Sequence, residues 1–336
     1  MKKGLVSIIV ISCILGVFAL FFIIANIIPV KKTCESNPWR KVDNPYICAH
    51  RGGAELNPEN TRMAFDYAII ETDYIDIVEF DAWYTKDNQM VIYHDSYLNR
   101  MACEGFDPSD KEKNAVYIKD HTLAELRQYN LGRNFVDRNG NRPYENLSVE
   151  EAEKLGLTIM TVPEFFERYQ NVRDDVRIAF EVKEEQLEIG SRMVDELYQL
   201  LDAKYPFWKD KVLVISFGND VMKYHMEKYP ERWCGPLGYL IAMQVASNKF
   251  GLNGLVQVDY PNIQTQMYNT AGSLKFDCGT KNFNYWAHKR NQATTYWTIN
   301  DEKDMKKLVK NGADMITTNA PDKLYRVIYG KDYEKN

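Results

Sequence analysis

The sequence predicts an α/β fold in which parallel strands alternate with helices. Apolar strand-like runs recur along most of the 336 residues, helical runs with start and stop signals separate them, and eight such strands would close the sheet into a barrel. One α/β barrel of about 250 residues with additions fits this length as well as two separate domains do. The predicted strands are Tyr46–Ala49, Tyr74–Phe80, Met90–Tyr93, Val176–Val182, Val212–Phe217, Pro236–Ile241, Thr294–Ile299 and Ala313–Thr317.

Local signals delimit the helices between these strands. Thr122 and Glu125 have the spacing of a capping box, in which each side chain bonds the other residue's backbone amide. Residues Asp301 to Lys310 repeat apolar side chains at helical spacing and stop before Gly312. The stretch from Ala242 to Lys281 gives no clean assignment and is compatible with one strand and a long loop.

One segment interrupts the alternation of strands and helices. From Ser96 to about Thr158 there is no clear buried strand, and the sequence is polar and contains several Gly and Asn residues. A structureless loop of this length is unusual inside a compact domain. We therefore interpret the segment as an inserted lobe after the third strand.

The first segment differs in composition from the rest of the chain. Residues Gly4 to Val30 contain no charged residue, and a membrane helix needs about 20 apolar residues. A cleaved signal peptide is the alternative, since Lys2 and Lys3 form a positive start, but the apolar run is longer than a signal core and lacks a small-residue cleavage site. We predict a transmembrane helix and linker start over residues 1–33. A single external domain is predicted over residues 34–330, since long domains translocate largely regardless of flanking charge.

Composition limits the classes of partner. The net charge is −5, and there is no basic cluster or Lys/Arg-rich helix, which argues against nucleic acid as the main partner. An anionic ligand would have to be met by a local charge such as a bound metal ion. The five cysteines outside the apolar segment are widely spaced and no pair has zinc-ligand spacing, so we predict buried or unpaired thiols.

Ionisable residues fall at the C-terminal ends of several predicted strands, which is the end of a parallel barrel where active sites are built. Residues i and i+2 of a strand point to the same face. Glu79 and Asp81 can therefore chelate one cation together. The strand-end residues are His50 and Arg51, Glu79 and Asp81, His94 and Asp95, and Glu181 and Lys183.

Three converging carboxylates would repel one another in a partly buried site, and a hard divalent cation removes that repulsion. Because all three ligands offer oxygen, Ca²⁺ or Mg²⁺ is favoured over zinc. His50 and His94 can act as base and acid. Arg51 offers a forked donor for phosphate oxygens, and Lys183 offers a point charge.

Each of these features has a common structural explanation. A single histidine at a strand end is usually a hydrogen-bonded structural residue, and Asp95 is predicted to cap a turn without a direct catalytic role. His121, His225 and His288 have no strand-end context and are predicted to lie on the surface. The coincidence of two histidines, three acids, one arginine and one lysine at successive strand ends favours a site.

An ordered set of motifs spans about residues 46–325 and resembles the signature of the glycerophosphodiester phosphodiesterase family. The set is highly specific in its order and spacing. Its members are His50-Arg51-Gly52, Pro58-Glu59-Asn60-Thr61, Glu79-x-Asp81, Asp87 with His94-Asp95, Leu98 and Arg100, Glu181-Val182-Lys183, Trp297-Thr298-Ile299-Asn300, Gly312-Ala313-Asp314 and Thr318-Asn319-x-Pro321.

The resemblance implies a TIM (β/α)8 barrel with a small insertion after the third strand. It also implies one divalent cation, catalytic histidines and phosphate-binding cations. The implied positions are Glu79, Asp81 and Glu181 for the metal, His50 and His94 for catalysis, and Arg51 and Lys183 for phosphate. Two departures from the family pattern are Asn88 in place of the usual glycine after Asp87, and a longer stretch before Trp297.

The reaction implied by the resemblance is hydrolysis of a glycerophosphodiester to sn-glycerol 3-phosphate and an alcohol. Trp297 is a candidate for packing against the substrate glycerol, with a core position as the alternative. Two other enzymatic activities remain open, on lysophospholipids or sphingomyelin and on polyglycerolphosphate wall polymers. A barrel retained as a binding module is the non-enzymatic alternative, which loss of a histidine or a metal acid would favour; all of them are present.

Overall fold

A nearly closed barrel of parallel strands forms the centre of the protein, seen in a computed structural model that describes residues 2–27, 30–41, 43–237, 260–271 and 274–335. The strands are β1 (Tyr46–Ala49), β2 (Ile77–Tyr84), β3 (Met90–Ile92), β4 (Arg177–Val182), β5 (Val212–Ser216), β6 (Trp233–Pro236), β7 (Asn262–Thr265), β8 (Tyr268–Ala271), β9 (Leu274–Asp277), β10 (Ala293–Tyr296) and β11 (Met315–Thr318). Within those described ranges, eight parallel strands follow the order β6-β5-β4-β2-β1-β11-β10-β7. Because β6 and β7 lie beside each other, the two ends of the sheet meet, and the predicted α/β barrel is confirmed.

Helices connect most of the consecutive barrel strands. They are α1 (Lys2–Ile27), α2 (Arg62–Asp66), α3 (Asn99–Ala102), α4 (Leu123–Leu126), α5 (Val149–Leu155), α6 (Val162–Tyr169), α7 (Leu187–Lys204), α8 (Asn219–Lys228), α9 (Lys281–Lys289), α10 (Glu302–Lys310) and α11 (Pro321–Tyr329). The predicted capping box is confirmed, since Thr122 and Glu125 satisfy each other's backbone amides at the start of α4. The predicted helix at residues 301–310 is α10, with Asp301 as its N-cap.

Strand alternation separates the outer core from the barrel interior. In β2, Val78 and Phe80 pack outward in the main hydrophobic core, whereas Ile77 packs inside the barrel. Glu79 and Asp81 share the inward face with Ile77, because residues two apart on a strand point the same way. The same alternation in the neighbouring strands places their polar C-terminal residues above an apolar interior layer. That layer comprises Trp39, Cys48, Ile77, Ala179, Leu213, Ile215, Leu237, Ala293 and Met315.

The predicted third strand exists, but its role in the sheet differs from the prediction. β3 pairs antiparallel with the far end of β2, with Ala82 opposite Ile92, and it lies off the barrel path. β2 is long enough to pair with β4 inside the barrel and with β3 beyond its rim. The prediction of a third parallel strand here was wrong, because a short apolar run does not indicate whether a strand pairs parallel or antiparallel with its neighbour. The third barrel strand is β4.

Two other strand boundaries required correction. The predicted strand at 74–80 begins and ends later, so Glu79 and Asp81 lie within the strand and not at its edge. The predicted strand at 236–241 is observed as Trp233–Pro236, and residues 238–241 lie outside the described ranges. The unassigned stretch 242–281 contains β7, β8 and β9 in its described part.

The segment from Ser96 to Thr158 forms the inserted lobe and lies between β3 and β4. It contains α3, α4 and α5 and packs around its own cluster of buried apolar residues. This cluster includes Leu98, Met101, Ile118, Leu126 and Leu131, and it joins the barrel through Val91 and Tyr93 of the β3 region. The lobe follows β3 in the chain. Because β3 is not a barrel strand, the barrel strand that precedes the lobe is β2, the second strand of the barrel.

The N-terminal region consists of α1 and a segment that packs against the barrel. Among the described residues, no helix has the length and apolar character required to cross a membrane. The transmembrane helix, the external location and the division at residue 33 stay predictions. Residues 31–41 do not form a free linker, because Trp39 is completely buried and the Asn37 side-chain amide donates to the backbone oxygens of Pro261 and Asn291, each at 2.8 Å.

The six cysteines carry free thiols and three of them are buried, in agreement with the sequence prediction. His225 was wrongly predicted to be a surface residue. It is fully buried and its Nε2 lies 2.6 Å from the hydroxyl of Tyr198. Because α8 packs against α7, this histidine faces another helix and not solvent.

Candidate active site

A cavity of about 170 Å³ opens where β1, β2 and β4 end, above the apolar interior of the barrel. Its lining divides into an ionisable side and a neutral side. The ionisable side comprises His50, Arg51, Glu79, His94, Glu181 and Lys183. The neutral side includes Ile215, Phe217, Leu237, Gln264, Trp297, Thr298, Met315 and Thr317.

Three carboxylates meet at the base of the ionisable side. Glu79, Asp81 and Glu181 are buried, and each offers an oxygen within 4.8 Å of the oxygens offered by the other two. Asp81 and Glu181 lie opposite each other in the parallel pairing of β2 with β4. The i, i+2 spacing of the first two acids and the strand register of the third therefore bring the cluster together.

The electrostatics of this cluster fit a bound cation. Burial, followed by the charges of Asp81 and Glu181, raises the pKa of Glu79 well above its usual range. Burial and Asp81 also raise the pKa of Glu181, against the opposing effect of Lys183. Within the described structure the buried Asp81 Oδ1 accepts no hydrogen bond, although Lys183 Nζ lies 3.5 Å away. Three carboxylates, one of which has an oxygen without a hydrogen bond, supply the oxygen ligands that a hard divalent cation requires.

Asp81 differs from the other two acids in its protonation. Burial alone would raise its pKa, but the positive charges of Lys183, His94 and Arg51 and a hydrogen bond from Asn60 outweigh burial and lower the pKa. The Asn60 side-chain amide donates to Asp81 Oδ2 at 2.9 Å. Asp81 is therefore the acid that stays ionised most readily.

Arg51 lies between this cluster and the rim of the cavity. Its backbone has a φ of 53°, in the left-handed region, and its amide donates to Glu79 Oε2 at 2.8 Å. A left-handed residue other than glycine costs roughly 1–2 kcal/mol. The Arg51 guanidinium donates to Glu59 at 2.9 Å, and its Nε lies 3.7 Å from Asp81 Oδ2. The side chain is thus held between two acids.

His50 is oriented by a neutral partner. Its Nδ1 donates to Asn319 Oδ1 at 2.6 Å, which leaves Nε2 as the acceptor, 3.9 Å from Glu79 Oε2. Burial, then the charge of Arg51, lowers the pKa of His50 to about 4. The imidazole is therefore neutral at pH 7 and able to accept a proton.

His94 is oriented by a charged partner. It follows β3, and its Nδ1 donates to Asp95 Oδ1 at 2.8 Å. Arg100 Nε donates to the other oxygen of Asp95 at 2.6 Å, and together with His94 it lowers the Asp95 pKa to about 2 despite burial. A carboxylate bonded to Nδ1 fixes the orientation of the imidazole ring. Asp95 thus holds the His94 ring and does not serve merely as the predicted turn cap.

The remaining predicted residues also reach the cavity. Lys183 Nζ donates to Glu181 Oε1 at 2.8 Å. Trp297 lines the neutral side, and its ring meets that of Phe217 edge to face at a centroid distance of 5.8 Å. All eight predicted site residues therefore converge on one region.

Three further residues bond directly to the predicted set, and a fourth bonds to Asp95, which holds His94. Asn319 holds His50, Asn60 holds Asp81, Glu59 binds Arg51, and Arg100 binds Asp95. They appeared in the sequence motifs without an assigned role. Motif membership was the signal that could have identified them, but their partners lie up to 269 residues away in the chain.

The barrel carries an acidic cluster, two oriented histidines and the cations Arg51 and Lys183 at its C-terminal face. This combination of fold and site is that of the phosphoric diester hydrolases. The profile of the glycerophosphoryl diester phosphodiesterase family matches residues 50–323. The chain belongs to this family, whose members are enzymes.

Individual relatives agree with this assignment over most of the chain. YhdW of Bacillus subtilis (strain 168), assigned as a glycerophosphodiester phosphodiesterase, is 27% identical over 285 residues, covering 82% of this chain and 95% of the relative. A glycerophosphodiester phosphodiesterase of Bacillus altitudinis is 26% identical, covering 84% and 97% of the two chains. An Oleispira antarctica phosphodiesterase, solved with the product sn-glycerol 3-phosphate, superposes with a TM-score of 0.60 at 22% identity, covering 85% of this chain and 97% of that one. The last comparison supports the TIM-barrel fold.

Proposed function

We propose that the chain hydrolyses glycerophosphodiesters to sn-glycerol 3-phosphate and an alcohol, using one divalent cation, Ca²⁺ or Mg²⁺. The observation that carries the proposal is the convergence of three buried carboxylates and two differently oriented histidines on one cavity. Family membership supports the substrate class. The Oleispira relative, bound to sn-glycerol 3-phosphate, supports the choice of product.

Glu79, Asp81 and Glu181 would hold the cation. When bound, such an ion polarises the phosphate and lowers the pKa of a glycerol hydroxyl or a water. Without the cation the three acids are buried together and repel one another. Burial and this repulsion are the causes of the raised pKa values of Glu79 and Glu181. Both Ca²⁺ and Mg²⁺ accept oxygen ligands of this type.

Arg51 and Lys183 would bind the phosphate oxygens. Both line the cavity and both already lie beside Asp81, at 3.7 Å and 3.5 Å. The forked guanidinium can contact two oxygens at once, and the ammonium adds a single positive charge. Because both cations lie next to Asp81, a phosphate bound to them would lie beside the metal ligands.

The two histidines would divide the proton transfers. His50 is neutral, has its Nδ1 occupied by Asn319, and would remove the proton from the attacking hydroxyl or water. His94 has its Nδ1 bonded to the carboxylate of Asp95, which orients the ring, and would give a proton to the leaving alcohol. A glycerol hydroxyl as nucleophile would expel the alcohol and give a cyclic phosphate, which a water molecule would then open to sn-glycerol 3-phosphate, whereas direct attack by water would give the same products in one step.

The apolar part of the neutral side favours a second candidate substrate class. Phe217, Leu237 and Trp297 offer a surface against which a lysophospholipid or sphingomyelin could pack. A polyglycerolphosphate polymer would instead extend a chain of phosphodiesters out of the cavity. Each of these substrates presents the same scissile group to the acids and histidines.

An activity screen of the full chain tests the proposal. Glycerophosphocholine, glycerophosphoglycerol, lysophosphatidylcholine, sphingomyelin and polyglycerolphosphate would be supplied with Ca²⁺ or Mg²⁺, and the phosphate-containing product of each would be identified and its rate of release measured. We expect the two glycerophosphodiesters to be cleaved fastest, with release of sn-glycerol 3-phosphate. Release of phosphocholine from glycerophosphocholine would contradict the proposed bond specificity, and faster release of lysophosphatidic acid or ceramide phosphate from the two lipids would contradict the proposed substrate class.

A further inference from the structure

Behind the cavity, a chain of four alternating charges that ends on His94 connects the two sides of the ionisable wall. It runs from Arg51 to Glu59, Arg100, Asp95 and His94. Its two ends line the cavity, whereas the three middle residues are absent from the described cavity lining. The middle residues can therefore act on the reaction only through the ends.

Glu59 is the central acid of this chain. It is 8% exposed, and it accepts from Arg51 at 2.9 Å and from both terminal nitrogens of Arg100, one of them at 3.2 Å. Burial would raise its pKa, but Arg51 and Arg100 outweigh burial and lower it. One carboxylate is thus shared by two guanidinium groups, and it lies outside the three-acid metal cluster.

The position of Arg51 explains why this shared acid matters. The Arg51 Nε lies 3.7 Å from Asp81 Oδ2, so the same guanidinium could pair fully with the metal cluster. In that position it would compete with a cation and would no longer point to the phosphate. The bond to Glu59 draws the guanidinium away from Asp81 and holds it at the rim.

Arg100 supplies the link to His94. It lies in α3 of the inserted lobe, where its Nε donates to Asp95 Oδ2 and its terminal nitrogens donate to Glu59. Asp95 in turn accepts from His94 Nδ1 at 2.8 Å. Without Arg100, the buried Glu59 and the partly buried Asp95 would lack a shared cation, and Asp95 would lose the bond from Arg100 that helps to fix its orientation.

We propose that Glu59 and Arg100 are a pair of positioning residues, which together set the phosphate-binding guanidinium of Arg51 and the proton-donating imidazole of His94. The inference rests on the proposed function for the roles of the two ends. It gives the inserted lobe a part in catalysis through one residue, because Arg100 reaches the site from α3. Loss of Glu59 should act mainly on phosphate binding, and loss of Arg100 mainly on proton donation.

The experiment compares Glu59→Gln, Arg100→Gln and the double variant with the wild-type chain. Inorganic phosphate binding is measured by calorimetry, and kcat and KM are measured on glycerophosphocholine and on a glycerophospho-nitrophenol. Glu59→Gln should weaken phosphate binding and raise KM by about 10- to 100-fold, the range for one lost charge-assisted hydrogen bond. Arg100→Gln should lower kcat on the choline substrate far more than on the nitrophenol substrate, because nitrophenol leaves without a proton. The double variant should lose less than the product of the two single losses, since the partners share one network.

Arg127→Gln is the matched control. Arg127 also joins the lobe to the barrel through one carboxylate, Glu164, at 2.5 Å, but neither residue lines the cavity as described. It should change neither phosphate binding nor leaving-group dependence. An Arg100→Gln variant with equal losses on both substrates, or a Glu59→Gln variant with wild-type phosphate affinity, would overturn the proposal. A wild-type chain that binds phosphate but cleaves no diester would refute the proposed function instead, and the phosphate measurement would still decide the role of Glu59.

Discussion

The two sides of the cavity are built from different strands of one barrel and differ completely in chemistry. On the ionisable side, β2, β4 and the residues that follow β1 and β3 present acids, histidines and cations. On the neutral side, the positions at and beyond β5, β6 and β10 present Phe217, Leu237 and Trp297. The backbone geometry is alike in both halves, so side-chain identity at a few inward positions decides which half performs chemistry and which half provides shape.

This division has an electrostatic reason. A charged group in the neutral half would be buried among apolar neighbours without a partner, which costs several kcal/mol. In the ionisable half both cations have an opposite charge within 4 Å, as Lys183 has with Glu181 and Arg51 with Glu59. Concentrating the charges on one side lets them stabilise one another and leaves the other side for substrate packing.

The largest expected effect comes from removing the cation from the ionisable side. Chelation should abolish activity, and re-addition of Ca²⁺ or Mg²⁺ should restore it. The ion should also raise the melting temperature, since a ligand at about 100 times its dissociation constant adds roughly 2.7 kcal/mol of stability. Activity that is indifferent to chelator would remove the metal from the mechanism.

Neutralising one acid sharpens the same test. Glu181→Gln should weaken the metal-dependent rise in melting temperature and leave the metal-free protein no less stable, because the fold already raises the pKa of Glu181 and so disfavours its charge. Glu184→Gln, a neighbour outside the acid cluster, is the control. Equal destabilisation by Glu181→Gln with and without metal would identify a structural ion pair in place of a ligand.

The pH dependence of metal binding follows from Glu79. Its pKa is raised by burial and by the neighbouring acids, so the metal-free fold binds a proton there more tightly than the unfolded chain does. Ion binding must release this proton, and the apparent metal affinity should therefore rise as pH increases through that raised pKa. By the same linkage, the contribution of Glu79 to metal-free stability is present at low pH and is lost as pH rises. Calorimetric titrations at several pH values measure the first effect, and a pH-independent affinity would contradict it.

Removing either histidine should have the next largest effect. His50→Ala or His94→Ala should lower turnover by at least about 10²-fold with little loss of folding, because general acid–base groups act mainly in the transition state. The two variants should differ when the leaving group is nitrophenol, where His94→Ala should recover much of its loss and His50→Ala should not. Recovery by His50→Ala alone would exchange the two assigned roles.

A smaller effect is expected on the neutral side. Trp297→Ala should raise KM for glycerophosphodiesters by about tenfold with a lesser change in kcat, because it removes an apolar surface of the size that anchors a small ligand. Trp297→Phe keeps an aromatic ring and should recover most of the affinity. If kcat falls and KM does not change, Trp297 supports the core and not the substrate.

The smallest effect comes from placing an ionisable group in the neutral half. Gln264 is buried, and its side-chain amide donates to Asn262 at 2.9 Å. Gln264→Glu should lower stability by about 1–3 kcal/mol and weaken phosphate binding severalfold, because an added acid is desolvated and repels an anionic substrate. Gln264→Met serves as the uncharged control. An unchanged phosphate affinity in Gln264→Glu would show that the two halves are electrostatically independent.

Local order along the chain determined much of this protein. The apolar runs predicted most barrel strands, and the two-residue spacing predicted that Glu79 and Asp81 share a face, since alternation is a property of any single strand. Capping chemistry predicted the start of α4 at Thr122, because the bonds involved span only three residues. The predicted catalytic, metal and phosphate residues could be named because they follow strands whose ends must meet in a parallel barrel.

Only the tertiary structure decided which residues orient the predicted site residues, and how the strands and helices pair. The antiparallel direction of β3 depends on a hairpin with β2, which a short apolar run does not encode. The burial of His225 depends on packing between α7 and α8, and the partner of His50 is Asn319, near the opposite end of the chain. The pairing of Glu59 with Arg100 likewise joins a loop after β1 to the inserted lobe. These contacts depend on distances between residues far apart in sequence, and such distances exist only once the barrel has closed.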